Sequence, residues 1–191
     1  IKMNAKLLGK TLVASALVLT TLGSGVHSSY LGLETSKVVK TAKAEENMTK
    51  SDLWKDIKSS LKSSNFINGN GDETIKVSYI DKNGQATQFE STANHDTFPD
   101  ESRDYFKLTK IEIEKKNIPT EDYHTTLNAN EAWHNITKNL KEKGLVSDSN
   151  KVTISTKDSK DPQVTGTVGS EMNDYKEHNL NKRDINKITI E

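Results

Sequence analysis

The sequence has 191 residues, 28% charged and 32% hydrophobic, with 27 basic and 27 acidic side chains and no cysteine. Without a thiol there is no disulfide, no thiolate zinc site, no cysteine nucleophile and no cysteine-borne lipid anchor, so an exported domain of this composition is held together by packing alone. Residues 1–44 carry six lysines and one glutamate, which leaves 21 basic against 26 acidic residues in 45–191; that net of −5 argues against nucleic acid or an anionic membrane, which need clustered positive charge, and is compatible with a basic partner.

At the start of the chain, Lys2, Lys6 and Lys10 flank and precede the apolar run Thr11–Leu19. This run is shorter than the ~20 apolar residues that cross a bilayer. A basic start followed by a short apolar stretch is the pattern of a secretory signal, and Ala42-Lys43-Ala44 supplies the small-x-small cut site. The expectation is a signal peptide over 1–44, cleavage after Ala44, and a mature extracellular chain that keeps no membrane contact.

Thr49 is a helix N-cap type, with Asp52 placed three residues on where free backbone N–H groups favour a carboxylate. Trp54, Ile57 and Leu61 follow at i, i+3, i+7, which predicts one buried helix face. Asn65 tolerates the left-handed backbone that ends a helix. Ile75, Val77 and Tyr79 alternate with polar residues as a strand. Asp81-Lys82-Asn83-Gly84 reads as a hairpin turn with Asn-Gly at positive φ, and the return strand falls near Ala86–Ser91. A polar loop over Thr92–Asp104 leads to a strand around Ile111 and Ile113, and Pro119 marks a linker because it disfavours helix at Ile118.

The second half repeats the first. At an offset of 79, Thr49, Asp52, Trp54, Ile57 and Leu61 fall on Asn128, Glu131, Trp133, Ile136 and Leu140. After a two-residue loss the offset is 77, and Ile75, Val77, Ile111 and Ile113 fall on Val152, Ile154, Ile188 and Ile190. The return strand falls near Gln163–Val168, and the second polar loop spans Gly169–Asn181. The predicted fold is α+β: two tandem helix–strand–strand–strand repeats over 45–116 and 128–191, joined by a linker over 117–127. Each repeat packs its helix on a small, mainly antiparallel sheet. A single unit of about 65 residues is marginal in size, so two packed units are expected.

Candidate chemistry is sparse. His95, His124, His134 and His178 form no metal pair at helical spacing, and there is no HExxH. Gly169-Ser170-Glu171 is no nucleophile elbow. Asn68-Gly69-Asn70-Gly71-Asp72 lacks both the P-loop lysine and the ligand spacing of a calcium loop, and suits a helix-to-strand turn. No catalytic residue, cofactor or metal ligand is assigned. The repeated tryptophans belong to the core. The two long loops differ between repeats and contain Phe98, Tyr105, Met172 and Tyr175, the candidate partner-binding residues, because recognition diversifies on loops of a fixed scaffold.

The leader ending Thr41-Ala42-Lys43-Ala44, the hairpin Ile75–Gly84 and the closing strand Asp184–Glu191 resemble secreted staphylococcal exoproteins. The hairpin and the closing strand resemble those of the C-terminal β-grasp domain of the superantigen-like toxins and of the repeats of the extracellular adherence protein (MAP). The helix before the hairpin fits a β-grasp order, whereas no N-terminal barrel is present and a first strand before each helix is not evident. The resemblance implies a noncatalytic binder of a host extracellular protein, used in immune evasion or adhesion. The alternatives are an inhibitor of secreted serine proteases acting through one loop, and a small secreted hydrolase using His95 or His178.

Overall fold

The computed structural model describes residues 48–98 and 105–191; the signal peptide expected over 1–44 and residues 99–104 of the first loop lie outside them. Helix α1 (Lys50–Ser63) begins where its sequence directs. The Thr49 hydroxyl accepts the Asp52 N–H at 3.0 Å, and the Asp52 carboxylate accepts the Thr49 N–H at 3.3 Å, a reciprocal capping box. Helix α2 (Ala129–Glu142) has the simpler cap, with Asn128 Oδ1 accepting the Glu131 N–H at 3.2 Å. Both helices end alike. Asn65 (φ 59°) and Gly144 (φ 71°) turn left-handed, and Phe66 and Leu145 donate their N–H groups back to Leu61 and Leu140, each at 2.9 Å.

The apolar stripes of both helices are buried, with Trp54, Ile57, Leu61, Ile136 and Leu140 fully enclosed. They share one hydrophobic core with one face of a six-stranded sheet. Its strands are β1 (Glu73–Asp81), β2 (Ala86–Thr92), β3 (Tyr105–Lys115), β5 (Lys151–Thr156), β6 (Val164–Thr167) and β8 (Ile185–Ile190), in the order β2-β1-β3-β8-β5-β6. Every pairing is antiparallel. One apolar row crosses all six strands: Phe89, Val77, Ile111, Ile188, Ile154 and Val164. The chain is therefore α+β, two helices on one face of an antiparallel sheet, with the opposite face polar.

The halves meet at β3 and β8 with Ile111 opposite Ile188, flanked by Lys110 opposite Thr189 and Glu112 opposite Lys187. The offset of 77 exchanges these two flanking pairs and maps Ile111 onto Ile188, so the seam has a local two-fold axis. The same offset carries Ile75–Ile113 and Val77–Ile111 onto Val152–Ile190 and Ile154–Ile188, and the bulge after Ser78 onto the bulge after Ser155. The return strands break the match. Phe89 opposes Val77 whereas Val164 opposes Ile154, because the second hairpin is two residues shorter.

Three details differ from the sequence expectations. Only Gly84 of the Asn-Gly pair has positive φ, 79°; Asp81 accepts the Gly84 N–H at 2.9 Å and donates to Gln85 at 3.0 Å. This is a tight turn closed by a glycine bulge, which needs one left-handed residue instead of two. The stretch 117–127 is folded rather than a plain linker. It contains a 3₁₀ turn (Thr120–Tyr123) and leads into β4 (Thr126–Asn128), which pairs with β7 (Asn179–Asn181) in a separate two-stranded sheet. Finally, Gly166 lies against the Trp133 indole. A Cβ there would sit 2.7 Å from Trp133 Cζ2 and 2.9 Å from Met172 Cγ, so the second tryptophan is seated on bare backbone where the first is ringed by phenylalanines.

Candidate functional site

The loops after β2 and β6 occupy corresponding places, and each is fastened to its own helix. In the first loop the Trp54 indole N–H and the Lys58 ammonium both donate to the His95 carbonyl at 2.8 Å, and Lys58 reaches Asp96 Oδ1 at 2.7 Å. That hydrogen bond and the lysine charge hold the Asp96 carboxyl below its ordinary value. Phe98 packs edge-on against Trp54 and Phe89, with ring centroids 5.5 and 5.2 Å apart, and the Lys50 ammonium lies 4.6 Å from its ring centre.

The second loop is fastened by the N-terminal turn of α2. Asn130 Nδ2 donates to the carbonyls of Met172 (2.9 Å) and Asp174 (2.8 Å), Asn128 Nδ2 donates to Lys176 at 2.6 Å, and the Ala129 N–H donates to His178 at 2.9 Å. His134 Nε2 lies 3.0 Å from the Met172 carbonyl. Tyr175 is held at φ 63°, a costly backbone state for a bulky residue, in a turn closed by the His178 N–H on the Tyr175 carbonyl at 3.0 Å.

The four residues selected from the sequence all face inward to some degree. Tyr105 and Met172 are buried, 8% and 5% exposed, and Phe98 and Tyr175 are half-buried against the core. Tyr105 accepts the Leu108 N–H on its hydroxyl at 3.0 Å, and burial pushes that hydroxyl up to about 12. Phe98, Met172 and Tyr175 anchor the loops, whereas Tyr105 lies outside the first loop as the first residue of β3. The outward positions are polar: Asn94, His95, Asp96 and Thr97 in the first loop, and Glu171, Asn173, Asp174, Lys176 and Glu177 in the second. A single large apolar residue set among polar ones, as Phe98 and Met172 are, is the signal that separates anchors from outward positions.

The surroundings of His178 are not those of a nucleophile's base. His178 Nε2 lies 3.4 Å from Asp161 Oδ1, but the neighbouring hydroxyl, Thr156 Oγ1, donates to Asp161 Oδ2 at 2.8 Å. A nucleophile must be activated by the imidazole, with the carboxylate behind it; here hydroxyl and imidazole both address the carboxylate. Among the described residues no group of three or more His, Asp or Glu side chains is placed to hold a metal. On the polar sheet face a shallow groove of about 290 Å³ is lined by Lys76, Glu90, Glu112, Asn186 and Lys187 among others, a ladder of alternating charge.

A family model described as a domain of unknown function, DUF4888, matches residues 49–190. The chain belongs to the DUF4888 family. No curated protein matches the sequence. The DUF4888 match begins at the cap of α1 and ends at the last residue of β8, so the family unit takes in both halves and the seam between them. Among the described residues no helix is long and apolar enough to cross a membrane.

A buried polar cluster also joins the halves of the DUF4888 domain, and sequence pattern gave no hint of it. Lys182 and Asp122 form an ion pair at 3.1 Å, with side chains 4% and 10% exposed. Asn68 donates to Asp122 Oδ2 at 2.6 Å and accepts from Lys182 Nζ. Beside them Glu73 accepts the backbone N–H groups of Asn68 (2.7 Å), Gly69 (2.7 Å) and Asn70 (3.2 Å), and Lys115 donates to the Lys182 carbonyl. Desolvation alone would raise the Asp122 carboxyl, but the hydrogen bonds from Asn68 and Lys182 and the lysine charges outweigh it and leave it below its ordinary value. Burial brings Lys115 down to about 8. Every partner in the cluster is met, which marks it as a structural junction of the DUF4888 fold.

Proposed function

We propose that this protein is a secreted, noncatalytic binding module of two tandem β-grasp-like repeats that engages a host extracellular protein in immune evasion or adhesion. The observation that carries this reading is the fastening of two unlike loops at corresponding places on matched halves, each tied to its helix through backbone carbonyls. Fixing a loop beforehand removes the entropy cost of ordering it on binding. Polar side chains are then free to differ while the apolar anchors keep the loop in place.

On this reading the contact positions are the outward residues Glu171, Asp174 and Glu177, and the partner presents a complementary basic surface. Immobilised protein is incubated with plasma and with neutrophil extract, and retained proteins are identified by mass. Specific retention of one host protein, weakened when Glu171, Asp174 and Glu177 are together changed to lysine and the circular dichroism is unchanged, supports the reading. Repeated failure to retain any protein, or retention indifferent to both loops, defeats it.

A further inference from the structure

The two edges of the sheet are not alike. Ala93 donates to Glu73 at 2.8 Å and Asp81 to Gln85 at 3.0 Å, and the β1–β2 register runs between them without a bulge. In an antiparallel ladder hydrogen-bonded pairs alternate, so Thr87, Phe89 and Ser91 turn their backbone groups to β1. The N–H and C=O groups of Ala86, Gln88 and Glu90 therefore point out of the sheet, and no hydrogen bond among the described residues engages them. Strand β2 is seven residues long, unbulged, and contains neither proline nor lysine; only at its far end is an outward carbonyl, that of Thr92, taken by the His95 N–H at 2.9 Å. The other edge is guarded. Strand β6 has four residues, follows Pro162 closely, contains Gly166, and has its Thr167 carbonyl taken by the Ser170 N–H at 3.1 Å.

We propose that β2 is a homodimerisation strand, pairing antiparallel with β2 of a second copy about a two-fold axis through Gln88. An isologous contact requires a surface complementary to itself, and this strand meets the requirement in a register centred on Gln88. Centred on Gln88, the pairing sets Gln88 opposite Gln88, Ala86 opposite Glu90, and Glu90 opposite Ala86. On the helix face Thr87 then stands opposite Phe89, which extends the apolar row that already crosses six strands. A register centred on Glu90 would oppose two carboxylates and is disfavoured. The chain closes its internal seam in the same manner, with two like strands antiparallel about Ile111 and Ile188. The dimer would be a continuous twelve-stranded sheet, and this association is independent of any partner held by the loops.

Sedimentation velocity of the purified chain over a wide concentration range tests the proposal, with three variants. In the monomer the Gln88 N–H makes no ladder bond and its side chain is exposed. Q88P therefore removes an outward donor without breaking the β1 pairing, and Q88K opposes two lysines across the axis without touching the backbone. T165P makes the corresponding change on the β6 edge. The wild type should rise towards twice the monomer mass with concentration, Q88K and Q88P should stay monomeric with unchanged circular dichroism, and T165P should still dimerise. Should Q88P fail to fold, Q88K decides. A wild type that stays monomeric throughout, a Q88K that associates as the wild type does, or a dimer lost on T165P but not on Q88K would overturn the proposal.

Discussion

Burying an ion pair removes the hydration of both charges, and the cost is recovered only when geometry and further hydrogen bonds are good. Asp122 and Lys182 satisfy that condition together, since Asn68 serves both. Taking one partner away strands the other. Asp122→Ala should therefore cost about 3–5 kcal/mol of unfolding free energy, read from urea denaturation. The double change Asp122→Leu with Lys182→Met should cost clearly less than the sum of its single changes; additive losses would show that the two charges do not act as a pair. The Asp122 carboxyl is lowered in the folded state, so its contribution is present above the ordinary carboxylate value of ~3.9 and is lost as pH falls through the folded value. None of this was legible in the sequence. Asp122 and Lys182 stand 60 residues apart, in segments without periodicity, and only the fold makes them neighbours. The loop anchors failed in the opposite sense: Phe98 and Met172 looked like contact residues because they are apolar residues in polar loops, yet that same contrast is what an inward-facing anchor looks like, and Tyr105 opens β3 instead of lying in the loop.

At the scale of elements, local chemistry decided most of the outcome. Each helix begins at a residue with a capping oxygen, turns its i, i+3, i+7 stripe inward, and ends at a residue that accepts positive φ, so its boundaries follow from a few residues close in sequence. Strands β4 and β7 were not foreseeable in this way. They are three residues each, too short for an alternation to register, and exist because the chain on either side is already fixed. The two caps also allow a test of how alike the halves are. Thr49→Ala removes the capping box alone and should cost about 1 kcal/mol. Asn128→Ala removes the α2 cap and also the donor to the Lys176 carbonyl, so it should cost more, and it should speed hydrogen exchange in the second loop. Equal costs in thermal denaturation, with exchange of the second loop unchanged, would separate that loop from the α2 cap.

At the scale of the whole molecule two titrations oppose one another. Folded Lys115 sits at about 8, below the ~10.4 of an unfolded lysine, so from pH 8 upwards the unfolded chain holds a proton that the folded one has released, and stability rises with pH. Folded Tyr105 sits at about 12, above the ~10 of an unfolded tyrosine, so beyond pH 10 the folded chain holds the extra proton and stability falls. Urea midpoints should pass through a maximum near pH 10, and Lys115→Met should flatten the rising limb while leaving the fall. A midpoint that declines steadily from pH 8 in the wild type would contradict this assignment.

Whether the halves are independent is decided by where the core lies. The apolar row runs unbroken through the β3–β8 seam, and α1 and α2 are linked by Asn139 on Ser64 at 2.9 Å and by Lys143 near Asp56 at 3.5 Å. A half released from its neighbour would expose a long inner strand, one flank of its helix and the charged members of the junction, at a size where burial barely offsets chain entropy. Residues 45–116 and 117–191 made separately should each lack dispersed amide resonances and a cooperative unfolding transition. Mixed, they should recover both, because every group at the seam then regains its partner. A cooperative transition in either half alone would mean that the seam joins two finished domains instead of completing one.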